Sequence, residues 1–317
     1  MMKKGVISLG EALIDFIPLD ETNSSYHKSP GGAPANVAVG VSRLGVESHF
    51  IGKVGQDVLG LFLKETLNTY GVNTESMMLT KDVRTGVVFV TLAEDGERSF
   101  DFYITPSADR FLSEEDLNEE VFEKSKVFHF GSISLISEPS KGATIKAVEL
   151  ARKHGLIVSY DPNLRLNLWE SPEEARRTIV SMLDKVDVLK ISEEELEFLT
   201  GTFDIEEGVA VLQQYPIPLI LVTHGSEGSY VYTKDGHTHV PARKVTAVDT
   251  TGAGDAYVSG VLFELHSYEG DINAITLNDA VRMVEVGSIS GALAASTKGA
   301  MTALPTFEEV SGYLKEK

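Results

Sequence analysis

Two glycines precede a carboxylate in residues 249–255, DTTGAGD, and the apolar spacing that follows, over 255–265, is helical. Gly252 and Gly254 let the backbone approach a ligand closely and turn its N–H groups inward. With the amides of a helix N-terminus they make an anion site that needs no lysine. Asp255 would stand beside the bound anion, where a carboxylate makes sense as the group that orients a hydroxyl for attack on a phosphoryl centre. At a helix N-terminus it is expected to have a low pKa, so its main work would be orientation. The same stretch also describes an Asp-capped helix after a glycine turn, which is the commoner arrangement when nothing else is known. Its glycines do not continue into a dinucleotide fingerprint.

Residues 30–36, PGGAPAN, have a similar character. Gly31 and Gly32 permit a tight approach to a polar ligand, and Asn36 offers donor and acceptor as a helix over 36–44 begins. Read plainly, this is a loop with an Asn near an N-cap. Residues 223–228, THGSEG, follow an apolar run and suit a nucleotide phosphate or ribose, and Asp15 follows the first strand. Ligands of open α/β sheets gather at the carboxyl ends of strands, so these pieces can converge on one crevice. Arg165, in DPNLRLNLW, either pairs with phosphate or bridges helices near the surface. The chain has neither a P-loop lysine motif nor the protein-kinase motifs. His237 and His239 flank Thr238 in a stretch read as a turn, where solvated histidines are expected rather than metal ligands.

Bringing these residues together requires parallel strands joined by helices. Strands are expected over 5–10, 127–130, 156–160, 188–191 and 218–223, and helices over 142–153, 172–186, 193–200 and 277–295. This alternation predicts an α/β fold, a single domain over 1–317 with a mostly parallel sheet and helices on both faces. Residues 85–104 break the pattern with two β-rich runs about Asp95–Gly96, a hairpin too small to be a domain. A small β lid, made of inserted segments at about 16–28 and 85–105, or a dimer-forming flap, is the natural reading. On its returning strand Arg98, Phe100 and Phe102 share one face by the two-residue period.

Composition narrows the function classes. Against 28 Lys+Arg stand 47 Asp+Glu, a net charge of −19 that repels nucleic acid and anionic membranes. Zero cysteines exclude disulfides, thiolate metal sites and cysteine nucleophiles, and suit a cytoplasmic protein. The opening residues, MMKKGVISLGEALIDF, do not form a signal peptide, and no apolar run reaches the length of a membrane span.

With both glycine motifs in place, the chain resembles the ribokinase-like (PfkB) carbohydrate kinases along nearly its full length. One signature runs from Gly31 and Gly32 through Asn36 and Ala38 to Gly45 and Gly55, and the other covers 249–262. The resemblance implies a ribokinase-like fold with ATP as phosphate donor, Mg²⁺ and a sugar acceptor. It implies Asp255 as catalytic base, Gly252, Ala253 and Gly254 as anion hole, and Asp15, Gly31, Gly32 and Asn36 at the sugar. Thr223, Gly225 and Gly228 would lie along the nucleotide. The family's N-x-x-E element maps to 192–195, with Ser192 in place of Asn and Glu195 acting on Mg²⁺ indirectly. Asp249, Thr251, Ala294, Thr297 and Gly299 would hold a monovalent cation, K⁺, mostly through carbonyl oxygens.

PSAD at 106–109, DPNLRLNLW at 161–169 and SEEELEFLTG at 192–201 are similar to fructokinases, and the second also to 2-keto-3-deoxygluconate kinases. Those sugar-acid kinases are expected to grip a carboxylate with a lid tyrosine and arginine, near positions held here by Val88 and Ile104. Arg98, Phe100, Phe102 and Arg165 would complete the sugar end. The resemblance thus implies an ATP-dependent fructokinase acting at the 6-hydroxyl, with a sugar-acid kinase as the alternative. A catalytically silent sensor is a further alternative, against which Asp255 speaks. A homodimer clasped through the lids is expected, and no nucleic-acid or membrane partner.

Overall fold

The computed structural model describes residues 3–92 and 98–315. The chain runs β1 (Val6–Leu9), β2 (Leu13–Pro18), β3 (Tyr26–Gly31), α1 (Ala33–Arg43), β4 (Ser48–Gly55), α2 (Val58–Thr69), β5 (Met77–Thr80), β6 (Val87–Leu92) and β7 (Arg98–Tyr103). It continues with α3 (Glu119–Lys124), β8 (Val127–Phe130), α4 (Ser140–Lys153), β9 (Ile157–Tyr160), α5 (Pro172–Val180), β10 (Val188–Ser192), α6 (Glu193–Thr200) and α7 (Ile205–Leu212). Then come β11 (Leu219–His224), β12 (Gly228–Thr233), β13 (Gly236–Pro241), α8 (Ala253–Ser267), α9 (Leu277–Ala295) and α10 (Phe307–Leu314).

Alternation along the strands sorts the core into two layers. Ile7 and Leu9, Phe128 and Phe130, Leu189 and Ile191, and Ile220 and Val222 face one side, beneath α4, α5, α6 and α7. Val6, Val127, Val188, Leu219 and Leu221 face the other, against α1, α8 and α9. Between these layers the main sheet has the order β13-β12-β11-β10-β9-β8-β1-β4-β5. Only β12 and β13 join it antiparallel. From β1 the chain first builds outward through β4 and β5, then returns to β8 on the opposite side and builds away through β9 and β10. That reversal opens a crevice at the carboxyl ends of β1 and β8, the place where such sheets bind ligands.

A second sheet, β3-β2-β6-β7, is the lid. Register puts Val88 opposite Phe102 and Val90 opposite Phe100 on one face. The opposite face carries an aromatic cluster in which Phe16 stacks on Phe89 at 4.9 Å, with Tyr26 and Tyr103 edge-on to Phe89. The Asp95–Gly96 turn lies outside the described residues.

Asp15 follows the first strand, as expected, and lies inside β2, opposite Ser29. Other expectations need correction. The helix begun at Pro172 stops at Val180, because Ser181 turns its hydroxyl onto the Thr178 carbonyl, and a 3₁₀ turn over Leu183–Lys185 follows. His237 and His239 are in strand β13 and not in a turn; they pack on Tyr232 at 5.0 Å and Tyr230 at 4.7 Å as cross-strand pairs.

Helices α1 and α8 pack at backbone distance. Ser259 Oγ donates to Asp255 O at 2.7 Å and lies 3.3 Å from Val37 O, and a Cβ on Gly40 would collide with that hydroxyl. Gly40→Leu should therefore destabilise the protein by about 1–3 kcal/mol through overpacking. The unfolding midpoint in urea checks this, and an unchanged midpoint would contradict it.

Candidate active site

The crevice is a cleft of about 680 Å³, lined by Glu11, Asp15, Asn36, Val88, Phe100, Phe102, Asp161, Arg165, Lys190 and the turn that ends at Asp255. At its centre Asn36 Nδ2 donates to Asp255 Oδ2 at 2.8 Å. Both residues are buried, and Asn36 Oδ1 has no partner among the described residues. Asn36 lies in the first turn of α1, which begins at Ala33, ahead of the expected start. Gly32 caps that helix with φ 101°, and a Cβ there would run into the Glu11 carbonyl. Gly31 leaves room for the Asp15 carboxylate, which a Cβ would strike.

Asp255 stands in the first turn of α8, entered through Gly252 at φ 77°. Its carboxyl is not held low as expected of a helix N-terminus. Burial pushes it up to about 6; the Asn36 amide opposes this, Asp161 adds to it, and Lys190 and Arg165 oppose it. Removal from water outweighs the helix end because the side chain turns inward among other carboxylates. Asp15 is also raised to about 6, by burial first and by Asp255 second, with Arg165 opposing.

The end of the cleft at Lys190 is differently built. Lys190 Nζ meets Asp161 Oδ2 at 3.0 Å, with both side chains nearly covered. Burial pulls this lysine down, but Asp161, Glu195 and Asp255 hold it above its ordinary value. Ser192 and Glu195 form the capping box of α6. Glu195 accepts from Ser192 N at 2.9 Å and from Leu164 N at 2.7 Å, so each carboxylate oxygen already holds a backbone amide. Burial raises its carboxyl, Asp161 adds to this and Lys190 opposes it. Arg165 is exposed, folds over its own loop onto the Asn163 and Leu164 carbonyls, and shares a second hollow with Lys190, Ser192 and Glu195.

Thr223, Gly225 and Gly228 do not line the cleft. Thr223 lies beside Ser192 in the β10–β11 ladder. Gly225 has φ 47°. Gly228 is required by the backbone of β13, since a Cβ there would strike Val240 O. Asp249 joins the two stretches proposed to hold a cation: Oδ1 accepts from Thr251 N at 3.1 Å and Oδ2 from Gly299 N at 3.2 Å. Val248 N and Asp249 N both donate to Ala295 O, and Ala294 O accepts from Thr297 N. Among the described residues no cluster of three or more His, Asp or Glu side chains could hold a metal ion by itself. In the lid, Phe100 and Phe102 face the cleft, Val88 lines it and Ile104 is buried, while the Arg98 side chain lies outside what the structure describes.

Glu11, Asp161 and Lys190 were not assigned roles from the sequence. Their signal is a charge set in an apolar run: LGEAL for Glu11, VSYD for Asp161 and VLKIS for Lys190. A charge at such a position is either paired or functional.

The profile of the pfkB family carbohydrate kinases matches residues 3–307. A probable fructokinase-2 of Arabidopsis thaliana is 46% identical over 317 residues, covering 98% of this chain and 95% of that protein. Among solved structures, a double mutant of a Vibrio cholerae fructokinase, with fructose, ADP and potassium ion bound, superposes with a TM-score of 0.89. It is 39% identical and covers 99% of this chain and 100% of its own. A Xylella fastidiosa fructokinase with bound ATP gives a TM-score of 0.92 at 34% identity, covering 99% of each chain.

Asp255 tests the geometry directly. Asp255→Asn should lower kcat by about 10²-fold or more, a typical general-base contribution. Turnover of the unchanged protein should fall as pH drops through about 6, where the Asp255 and Asp15 carboxyls take up protons. The folded state holds the Asp255 proton more tightly than an exposed carboxyl does, so ionisation weakens the fold as pH rises through about 6. The Asn variant should therefore unfold at no lower temperature than the parent at pH 8. Near-normal turnover would contradict the assignment.

Proposed function

Because the chain belongs to the pfkB family of carbohydrate kinases, we propose that it is an ATP-dependent fructokinase with Asp255 as the base. The observation that carries this reading is the Asn36–Asp255 pair, held inside the cleft that Asp15 also lines. Asp15 and Asn36 take hydroxyls of the sugar, and the 6-hydroxyl is set against Asp255. The carboxylate accepts the hydroxyl proton as the oxygen attacks the γ-phosphorus, and the bond from phosphorus to the bridging oxygen of ADP breaks. The amides of Gly252, Ala253 and Gly254 face the transferring group, where preorganised donors act most strongly. Lys190 and Arg165 supply positive charge at the phosphate end of the cleft. Thr223, Gly225 and Gly228 run beside the nucleotide.

Mg²⁺ fits as an ion carried by the phosphates. Both oxygens of Glu195 already accept backbone amides, which favours contact through water, and Mg²⁺ keeps several waters when it binds phosphate. Its contribution would be to neutralise charge on the transferring phosphoryl. The structural relative that holds potassium supports a K⁺ site among Asp249, Thr251, Ala294, Thr297 and Gly299. An ion there would stiffen the turn whose amides face the phosphoryl group.

The lid supports a neutral sugar. Val88, Phe100 and Phe102 offer an apolar roof to a furanose ring, and neither Val88 nor Ile104 can receive a carboxylate. The floor carries Asp15 and Asp255, so an acidic sugar would meet like charge. Exposed Tyr103 and Leu19 give the lid an apolar rim through which two copies could pair. The cytoplasm is the compartment that suits an ATP-dependent sugar kinase without cysteine.

An ADP-release assay tests the substrate. kcat/KM for fructose should exceed that for 2-keto-3-deoxygluconate by about 10²-fold; the reverse order would overturn the reading. Initial rates in tetramethylammonium buffer should rise on titration with KCl at fixed Mg²⁺ and ionic strength. A flat response would leave Asp249 a structural residue.

A further inference from the structure

Below the sugar end of the cleft, at the carboxyl ends of β1 and β8, lies a small hollow of about 10 Å³. That is roughly the space one water needs, provided polar partners surround it. Glu11, Ser132 and Asp255 are among its walls. Ser132 is fully buried, and its hydroxyl has no partner among the described residues. Glu11 is 4% exposed and lines both the hollow and the cleft above it. Its Oε1 accepts from Ala33 N at 3.2 Å, in the first turn of the helix that carries Asn36. Its carbonyl packs on Gly32, where no side chain fits. One carboxyl therefore touches the sugar-binding loop and opens onto the space beside the base.

We propose that Glu11 is a positioning residue whose carboxyl, together with the Ser132 hydroxyl, holds one buried water against Asp255. This rests on the sugar-kinase reading given above. The charges acting on Glu11 are Asp109, from the turn after β7, and Asp255, from α8, and both are negative. His129 and Asp161, at the ends of β8 and β9, share the hollow. Burial holds His129 down to about 4, so its ring is neutral at pH 7, and Lys190 is tied to Asp161. Burial, reinforced by Asp109 and Asp255, pushes Glu11 up to about 8. Below that pH its O–H can donate to the water, which in turn donates to Asp255. Ionisation removes that donor and sets a second negative charge beside the base, so the arrangement loosens as pH rises through about 8.

The test is kcat against pH at saturating fructose and ATP, with each profile scaled to its own maximum. The parent should lose turnover on the alkaline side with a midpoint near 8, and Glu11→Gln, which cannot ionise, should lack that fall. A parent without the fall, or a Gln variant with the same fall, would overturn the proposal. A purely structural role for Glu11 would scale the profile without changing its shape. Crystal structures of the parent and Ser132→Ala give a second reading that does not need the Gln variant to fold. Water should occupy the hollow in the parent and be lost in the Ala variant; an empty hollow in the parent would overturn the proposal. A parent that does not phosphorylate fructose would refute the functional reading instead, while the crystallographic comparison would still judge the water site.

Discussion

The hydrogen bond from Asn36 Nδ2 to Asp255 Oδ2 joins two stretches 219 residues apart in the chain, and the site depends on it. A buried bond to a carboxylate contributes about 1.5–3 kcal/mol, but its larger effect is to fix the Asp255 carboxylate against the start of α1. Two helices must approach closely for it to form. Gly40 of α1 makes room for Ser259 of α8, and Ser259 Oγ bonds back to the Asp255 carbonyl. On its other side α8 meets α9 through Gly260 and Gly287, where a Cβ at Gly260 would lie 2.8 Å from the Gly287 Cα. Small residues along α8 are thus what set Asp255 in place.

Charge is the second constraint. A protein of net charge −19 must receive a nucleotide carrying several negative charges. In the proposed function it does so with backbone amides at the start of α8 and with Lys190, which is held charged by Asp161 and Glu195 despite burial. At 4 Å two unit charges interact by about 4 kcal/mol at an effective dielectric constant of 20, enough to offset part of the desolvation of a covered lysine. At the sugar end Arg165 and Lys190 only partly offset the burial of Asp15 and Asp255. Carboxyl and amide groups there suit a polyhydroxy ligand, and burial raises Asp15 and Asp255 towards the range where a carboxylate accepts protons more readily.

Much of this was legible in the residues. The glycine turns at 31–32 and 252–254 announce close backbone approach, and the structure uses Gly32 and Gly252 at positive φ. Helices α6 and α9 follow the expected bounds because apolar spacing and a capping residue agree at each start. The rest depended on tertiary context. Lys190 in β10, Asp161 in the loop after β9 and Glu195 in the first turn of α6 are brought together by the sheet. The pKa of Asp255 was expected low because a helix N-terminus is visible in sequence, whereas burial among carboxylates is not. Strand β13 read as a turn because its alternating His-Thr-His has little apolar content, yet the Tyr230 and Tyr232 rings across the ladder make it a strand.

The central claim is that the base and the sugar loop meet on one hydroxyl. A crystal structure with fructose, Mg²⁺ and an unreactive ATP analogue measures this as the distance from the Asp255 carboxylate to the nearest sugar hydroxyl. The account predicts about 2.6–3.2 Å, with Asp15 bonded to the same sugar and the γ-phosphoryl over the 252–254 amides. A sugar bound with Asp255 beyond hydrogen-bond reach, directly or through one water, would contradict it.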